Sequence, residues 1–353
     1  MNVLLLDLDS KIENLALMKL AAHHIAEGDR VELRRAKNAG SLQPRFGDPT
    51  WGRVYGSLVF ERTRPLAKHA RALYPDVILG GTGWDLMTKL PDEVEALKPD
   101  YSLYPKCRVS IGYTQRGCRL QCGFCVVPRK EGKVRPVATL AEIWRGDPYP
   151  RDLILLDNDF FGNPHWKELI AEAKAGNYRI CWNQGINARM LNDEVAEAIA
   201  GTRYYDDNFK RPRLYTAWDG LKDERVLFRG LEALKRHGVA PNRIMVYMLI
   251  GYGADETHED RDYRRAKLRE FGARPYPMPY TRAGELGKEL VAFQRWVIQR
   301  KDGFVPWEQW WGKAKGNPRK LGPRRVSLSL FEESEPLPPA AETSVATLIG
   351  ETS

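Results

Sequence analysis

Residues 108–125 read RVSIGYTQRGCRLQCGFC, an apolar stretch followed directly by three cysteines. The pattern predicts a strand over 108–113 and then a loop that carries Cys118, Cys122 and Cys125 in the spacing C-x3-C-x2-C. Three thiolates on one loop indicate a metal site. A fully ligated 4Fe–4S cluster uses four cysteines, so three cysteines leave one iron open to another ligand. Catalytic metal sites keep such an open position, and we therefore expect the chemistry of this chain to lie here.

The chain after this loop alternates strand-like and helix-like stretches. We predict six strands, near 108–113, 153–157, 179–182, 213–218, 243–250 and 274–277. We predict helices over 165–175, 192–200, 223–237, 256–271 and 284–300. Six strand–helix units within residues 106–300 predict an α/β fold, namely a partial (β/α)6 TIM-type barrel. In that architecture the functional residues lie at the carboxyl ends of the strands.

Residues 1–105 have a similar alternation on a smaller scale. Strands are predicted over 3–6, 53–60 and 77–79, and helices over 14–26 and 65–73. This predicts a small Rossmann-like α/β domain, with Asp7, Asp9 and Ser10 at a carboxyl strand end where such sheets bind ligands. The glycine-rich segment 80–83 matches no phosphate-loop pattern, because no Lys-Ser/Thr pair follows it. We interpret it as a tight turn, and a phosphate cradle is the alternative.

The net charge of +9 is unevenly distributed over the 353 residues. Residues 331–353 contain five Glu and no Lys or Arg, which predicts a disordered acidic tail. Residues 301–330 form an aromatic and basic extension, with Trp307, Trp310 and Trp311 followed by six basic residues over 313–325. Such residues can pair with phosphates and stack on bases, so a nucleic-acid partner is one interpretation. A solubilising linker is the other.

Several classes of protein are disfavoured by composition. No apolar run approaches the roughly 18 residues of a membrane span. The amino-terminal segment lacks the basic start of a signal peptide. Five cysteines, an odd number, argue against a disulfide framework. We therefore expect a cytoplasmic protein without a membrane partner.

The cysteine loop resembles the signature of the radical S-adenosylmethionine (SAM) superfamily. The spacing matches, and an aromatic residue, Phe124, stands directly before the third cysteine. The resemblance covers residues 106–300 and implies that Cys118, Cys122 and Cys125 bind a 4Fe–4S cluster whose open iron is chelated by SAM. It also implies an enzyme that accepts an electron from a flavodoxin-type or ferredoxin-type donor. Reductive cleavage of SAM then yields methionine and a 5′-deoxyadenosyl radical, which abstracts hydrogen from a substrate.

The resemblance also implies which residues contact SAM. The superfamily's common Gly-Gly-Glu at the second strand is absent, and Asp157 with Asn158 stands in its place. The implied SAM-binding residues are Phe124, Asp157, Asn158, Gln184, Asn187, Arg189, Asp219, Ile250, Gly251 and Met278. Each has a structural alternative, since strand-end Asp residues often cap helices and Arg189 could form an ion pair. No residue is identified from sequence as acting on the substrate.

The amino-terminal domain resembles that of the cobalamin-binding subgroup of the superfamily. That resemblance implies cobalamin as a further cofactor and methylation as a candidate reaction. The subgroup's histidine pattern Asp-x-His-x-x-Gly is absent here. Residues 9–16 also resemble a set of bacterial radical SAM proteins of unassigned function.

Three functions remain open from sequence. The first is a radical SAM enzyme that modifies an unidentified substrate, and the second is such an enzyme acting on tRNA or DNA. The third is a non-catalytic interaction protein that holds an iron–sulfur cluster or zinc. For zinc, Cys107 would be the fourth ligand, but C-x10-C-x3-C-x2-C lacks the paired knuckles of zinc sites. Cys181 lies in an apolar strand and is predicted to be a buried thiol.

Overall fold

A computed structural model describes residues 1–36 and 38–316, with the side chains of 314–316 excepted. The chain divides into two compact units, the first being Met1–Arg108 and the second beginning at Val109. The predicted acidic tail 331–353 lies outside the described residues, as does most of the basic stretch 313–325. None of the described helices is long and apolar enough to cross a membrane.

The first unit is a parallel sheet with helices on both faces. Its strands are β1 (Asn2–Asp7), β2 (Arg30–Arg35), β3 (Arg53–Ser57) and β4 (Ile78–Gly80), and its helices are α1 (Leu15–Ala26), α2 (Arg64–Leu73) and α3 (Asp92–Glu95). The strand order is β2-β1-β3-β4, and all pairs are parallel. Val3 and Leu5 of β1 pack in one core with α1, whereas Leu4 and Leu6 pack in the other with α2. Burial on both faces explains why the centre of β1, residues 3–6, is apolar without alternation.

The strand β2 is not evident from the sequence. It reads RVELRR, with charges at four of six positions, because it is an edge strand with partly exposed side chains. Its register is nevertheless fixed by six parallel pairs with β1, from Asn2–Arg30 to Asp7–Arg35. The order β2-β1-β3 places the reversal of strand order between β1 and β3. In such sheets the ligand crevice opens at the carboxyl ends of these two strands.

The second unit contains the cysteine loop and a longer series of parallel strands. Its strands are β5 (Ser110–Gly112), β6 (Gln115–Arg116), β7 (Arg135–Pro136), β8 (Asp152–Leu155), β9 (Arg179–Trp182), β10 (Arg203–Tyr204), β11 (Leu214–Ala217), β12 (Ile244–Ile250) and β13 (Arg274–Pro279). Its helices are α4 (Val127–Lys130), α5 (Leu140–Ile143), α6 (Trp166–Ala175), α7 (Asp193–Ala200), α8 (Glu224–Arg236), α9 (His258–Phe271), α10 (Gly284–Ile298) and α11 (Trp307–Gly316). Each of the six predicted strands and five predicted helices overlaps an observed element.

These strands form two parallel sheets, of order β10-β9-β8-β5 and β11-β12-β13. The short strands β6 and β7 pair antiparallel as a separate ribbon, which apolar periodicity does not predict because each has only two residues. Alternate side chains of the longer strands, such as Leu153, Ile180 and Val246, are buried in one core with helix residues such as Leu231 and Phe293. The α/β class with parallel sheets is therefore confirmed.

The tryptophans near the carboxyl end of the described chain contribute to this core. Trp310 is buried, and its Nε1–H donates to the carbonyl of Ala292 in α10 at 2.9 Å. The Trp307 ring stacks on His258 of α9, with ring centroids 4.8 Å apart. Trp307 and Trp310 therefore attach α11 to the unit, which favours a packing role over base stacking for these two residues.

Candidate functional site

The three cysteines lie within a hairpin closed by β6 and β7. The Cys118 N–H donates to the Gly132 carbonyl at 3.4 Å, and the Cys125 N–H donates to the Cys122 carbonyl at 2.9 Å. Gly117 precedes the loop with φ +82°, and a Cβ there would lie 2.2 Å from the Lys133 carbonyl oxygen. Only glycine permits this approach of the two hairpin arms.

All three thiols are free and half-buried. Burial raises the pKa of Cys118 and raises that of Cys125 to about 11, and neighbouring cysteine sulfurs contribute to both shifts. The Cys118 sulfur accepts a hydrogen bond from the Leu120 N–H at 3.4 Å. A cluster or metal binds thiolates, so its binding would release the protons that burial favours on Cys118 and Cys125.

A single ion and a cluster make different demands on the cysteine loop. Within the described residues, no three His, Cys, Asp or Glu side chains are grouped so as to hold one metal ion. A single zinc ion draws its thiolates to within about 4 Å of one another. In a 4Fe–4S cluster the cysteines bind different irons, so a wider spacing is expected. The donor chemistry, three thiols on one half-buried loop, fits the cluster.

Asp157, at the carboxyl end of β8, holds the segment between β5 and β6. Its carboxylate accepts hydrogen bonds from the Gln115 N–H at 2.7 Å and the Thr114 hydroxyl at 3.1 Å. Burial raises the pKa of Asp157 to about 7, and these hydrogen bonds oppose the rise. Asp157 thus anchors the strand that leads into the cysteine loop, and the contact with SAM that the resemblance implies stays a prediction.

A second strand-end carboxylate, Asp159, holds the cysteine loop itself. It accepts from Arg119 Nε at 2.7 Å, from Arg119 Nη2 at 2.9 Å and from the Arg119 N–H at 3.2 Å. A Cβ at Gly162 would lie 2.3 Å from this carboxylate, so glycine leaves space for the pair. Arg119 directly follows Cys118, and the ion pair therefore fixes the first ligand of the proposed cluster. Sequence reasoning did not identify this pair.

Glu131 and Asn158 form the third anchor. The Glu131 carboxylate accepts from Arg116 Nη1 and the Gly117 N–H, each at 3.0 Å, and from Asn158 Nδ2 at 3.3 Å. Asn158 therefore contacts the hairpin through Glu131. Gln184, another implied SAM residue, donates to Asn183 Oδ1 at 3.2 Å and makes no hydrogen bond to the cysteine loop among the described residues.

Arg189, another of the implied SAM residues, contacts the cysteine loop directly. Its Nη2 lies 3.9 Å from Cys122 Sγ, its Nη1 2.9 Å from Asp223 Oδ2, and its Nε 3.2 Å from Asn187 Oδ1. Asp219 lies nearby: burial raises its pKa to about 6, Arg189 acts in the opposite direction, and Asp219 in turn raises the pKa of Cys125. The structure thus brings Arg189 and Asp219 to the cysteine loop, and Asn187 holds the Arg189 side chain.

Aromatic rings from two later strand ends complete the surroundings of the loop. The Tyr252 ring meets Phe124 edge-on at 5.4 Å and Tyr280 at 4.9 Å. Gly251 has φ +77°, and its N–H donates to Glu256. Ile250 and Met278 are buried, with the Ile250 side chain in the helix-facing core. Tyr252 and Tyr280 were missed from sequence, because only their placement after β12 and β13 relates them to Phe124.

The crevice of the first unit is filled by its own side chains. Tyr104 Oη donates to Asp7 Oδ2 at 3.2 Å and accepts from the Asn14 N–H at 3.3 Å. The Asp9 carboxylate accepts from the N–H groups of Val59 at 2.7 Å and Phe60 at 2.9 Å, beside the end of β3. The N–H groups of Val59 and Phe60 could otherwise hold a ligand, but they already donate to the Asp9 carboxylate.

The same region shows why the glycine turn is glycine-rich. A Cβ at Gly81 would lie 2.3 Å from the Leu58 carbonyl oxygen, and one at Gly83 would lie 2.5 Å from the backbone of Phe60. The turn packs directly on backbone and does not form a cradle. The unit's buried histidine, His24, bonds Asp29 at 2.8 Å near the start of β2, at the opposite end of the sheet. These residues do not fit cobalamin.

Comparison with known proteins assigns no family to this chain. No protein-family model matches the chain, and a search of curated proteins finds no significant match.

Proposed function

We propose that this protein is a radical SAM enzyme whose cluster is held by Cys118, Cys122 and Cys125. The observation that carries the proposal is the half-buried loop of three free thiols in the spacing C-x3-C-x2-C, with Phe124 before the third. When bound, the 4Fe–4S cluster supplies the electron that cleaves SAM reductively to methionine and a 5′-deoxyadenosyl radical.

The chain's own residues hold this loop rigidly at the carboxyl ends of the parallel strands. The Asp159–Arg119 pair and the Glu131 hydrogen bonds fix its two ends. Phe124, Tyr252 and Tyr280 restrict water on one side, which matters because reactive intermediates must be protected from solvent. Arg189 and Asp219 provide a cation and a carboxyl group near the thiols, complementary to the charged ends of an amino acid.

We further propose that the two sheets of the second unit are parts of one partial barrel. The Ile186 N–H, after β9, donates to the Tyr215 carbonyl of β11 at 2.7 Å and so links the sheets. Chemistry at the carboxyl ends is the rule for this architecture. The electron donor is proposed to be of the flavodoxin or ferredoxin type and the protein cytoplasmic, while the substrate is unassigned.

The proposal is tested by anaerobic reconstitution of the full chain with iron and sulfide. We expect a brown protein with about four irons per chain. Cys122→Ser should lose the chromophore and most of the iron, because it removes one of three ligands. Cys107→Ser is the matched control, since this thiol is buried in the first unit, and it should keep both. A colourless wild-type protein that binds zinc instead would contradict the proposal.

One further experiment distinguishes the proposed enzyme from a non-catalytic protein that only holds a cluster. With cluster, SAM and a strong reductant present, the enzyme should form 5′-deoxyadenosine. Cluster without 5′-deoxyadenosine would favour a non-catalytic iron–sulfur protein.

A further inference from the structure

Two of the three thiols accept hydrogen bonds from donors of different charge. The Cys118 sulfur accepts from a neutral backbone N–H, that of Leu120, at 3.4 Å. Cys122 Sγ instead faces the Arg189 guanidinium, with Nη2 at 3.9 Å. This contact places a side-chain cation within hydrogen-bond distance of the Cys122 sulfur.

Arg189 is not free to leave this position. It lies in the short turn Ala188–Met190 after β9, and its side chain is 20% exposed. Asp223, directly before α8, holds Nη1 at 2.9 Å, and Asn187 holds Nε at 3.2 Å. The two anchors leave Nη2 directed at the sulfur. A planar guanidinium fixed on two sides can present its third edge with little loss of side-chain entropy.

We propose that Arg189 is a positioning residue that raises the reduction potential of the cluster, and that Asp223 opposes it. This inference rests on the proposed function, because it requires a cluster on Cys122. Reduction adds one negative charge to the cluster. A fixed cation beside a ligand sulfur stabilises the reduced state, and a nearby carboxylate destabilises it. Charges and hydrogen bonds around the ligands are known determinants of cluster potential.

The two variants Arg189→Gln and Asp223→Asn are predicted to have opposite effects. In the reconstituted full chain without SAM, Arg189→Gln should lower the ratio of reduced to oxidised cluster at a fixed solution potential by about tenfold, or about 59 mV for one electron. Asp223→Asn keeps the cation and removes the anion, so the ratio should rise. Arg189→Lys restores a charge and should recover part of the loss.

The measurement is a redox titration followed by electron paramagnetic resonance. Arg179→Gln is the control, because Arg179 pairs with Asp152 at the amino ends of β8 and β9 and should leave the potential unchanged. General loss of structure would move both variants in the same direction, whereas the electrostatic account requires opposite signs. If Arg189→Gln does not take up a cluster, Asp223→Asn and Arg189→Lys still decide the question.

The outcomes separate the two proposals. A wild-type chain that takes up no cluster overturns the proposed function and this inference together. A normal cluster whose potential is the same in wild type, Arg189→Gln and Asp223→Asn overturns this inference alone. Loss of SAM affinity in Arg189→Gln with an unchanged potential overturns it as well, and assigns Arg189 to SAM binding instead.

Discussion

At the scale of single residues, two glycines of the cysteine hairpin allow a controlled comparison. Gly117 and Gly132 both have positive φ, +82° and +73°. A Cβ at Gly117 would lie 2.2 Å from the Lys133 carbonyl oxygen, whereas a Cβ at Gly132 would meet nothing within 4 Å. Backbone strain is therefore common to both positions, and steric overlap is specific to the first.

Gly117→Ala should push the hairpin arms apart and greatly reduce iron uptake, measured as iron per chain after reconstitution. Gly132→Ala should cost about 1 kcal/mol of stability from its φ angle and retain the cluster. Equal iron content in the two variants would show that close approach of the arms is not needed.

Asp157 predicts a pH dependence of stability. Burial raises the pKa of its carboxyl group from 3.8 to about 7. Between these values the folded chain holds a proton that the unfolded chain releases, so the free energy of unfolding falls as pH rises through this window. Each unit of pKa difference corresponds to about 1.4 kcal/mol.

Urea unfolding from pH 4 to pH 8 measures this effect. Asp157→Asn should remove the contribution of this group, so that stability falls less over the window. Asp255→Asn, at an exposed position, should retain the wild-type pH dependence. An undiminished fall in the Asp157→Asn variant would mean that this carboxyl group is ionised in the folded chain.

At the scale of elements, the strands were far more predictable than the contacts between their ends. The six predicted strands of the second unit are short apolar runs, and burial on one or both faces produces that pattern. The edge strand β2 was not predicted, because its charged side chains interrupt the apolar periodicity that indicates a strand. Glu131 bonds Asn158 27 positions away, and Phe124 meets Tyr252 across 128 positions; periodicity carries no information on such pairs.

The loops after β12 and β13 yield a prediction about cluster protection. Tyr252→Ala removes a ring that contacts both Phe124 and Tyr280. The cluster should still form anaerobically, but its absorbance should decay several-fold faster in air, because the shell around a site controls solvent access. Tyr263→Ala is a matched control, since Tyr252 and Tyr263 are 44% and 41% exposed. Equal decay rates in the two variants would show that Tyr252 does not protect the cluster.

At the scale of the whole molecule, the two units differ in how their strand ends are used. The first has the strand order of a ligand-binding sheet, but Asp9 and Tyr104 occupy its crevice. The second directs its strand ends and loops around three free thiols. The sequence indicated both strand ends as candidate sites, and only side-chain placement separates them.

The full chain is therefore expected not to retain cobalamin. Equilibrium dialysis of the purified, reconstituted protein against hydroxocobalamin should leave no bound corrinoid absorbance. Stoichiometric binding would contradict this prediction and would require Tyr104 and Asp9 to give up the hydrogen bonds described here.

The central claim is that the cysteine loop carries a cluster that cleaves SAM. The most direct test is the amount of 5′-deoxyadenosine formed by the anaerobically reconstituted chain with SAM and a strong reductant. The account predicts 5′-deoxyadenosine from wild type and from Cys107→Ser, and none above background from Cys118→Ser, Cys122→Ser or Cys125→Ser. Formation at the wild-type rate by any of these three variants, or its absence from a wild-type chain with a full cluster, would contradict it.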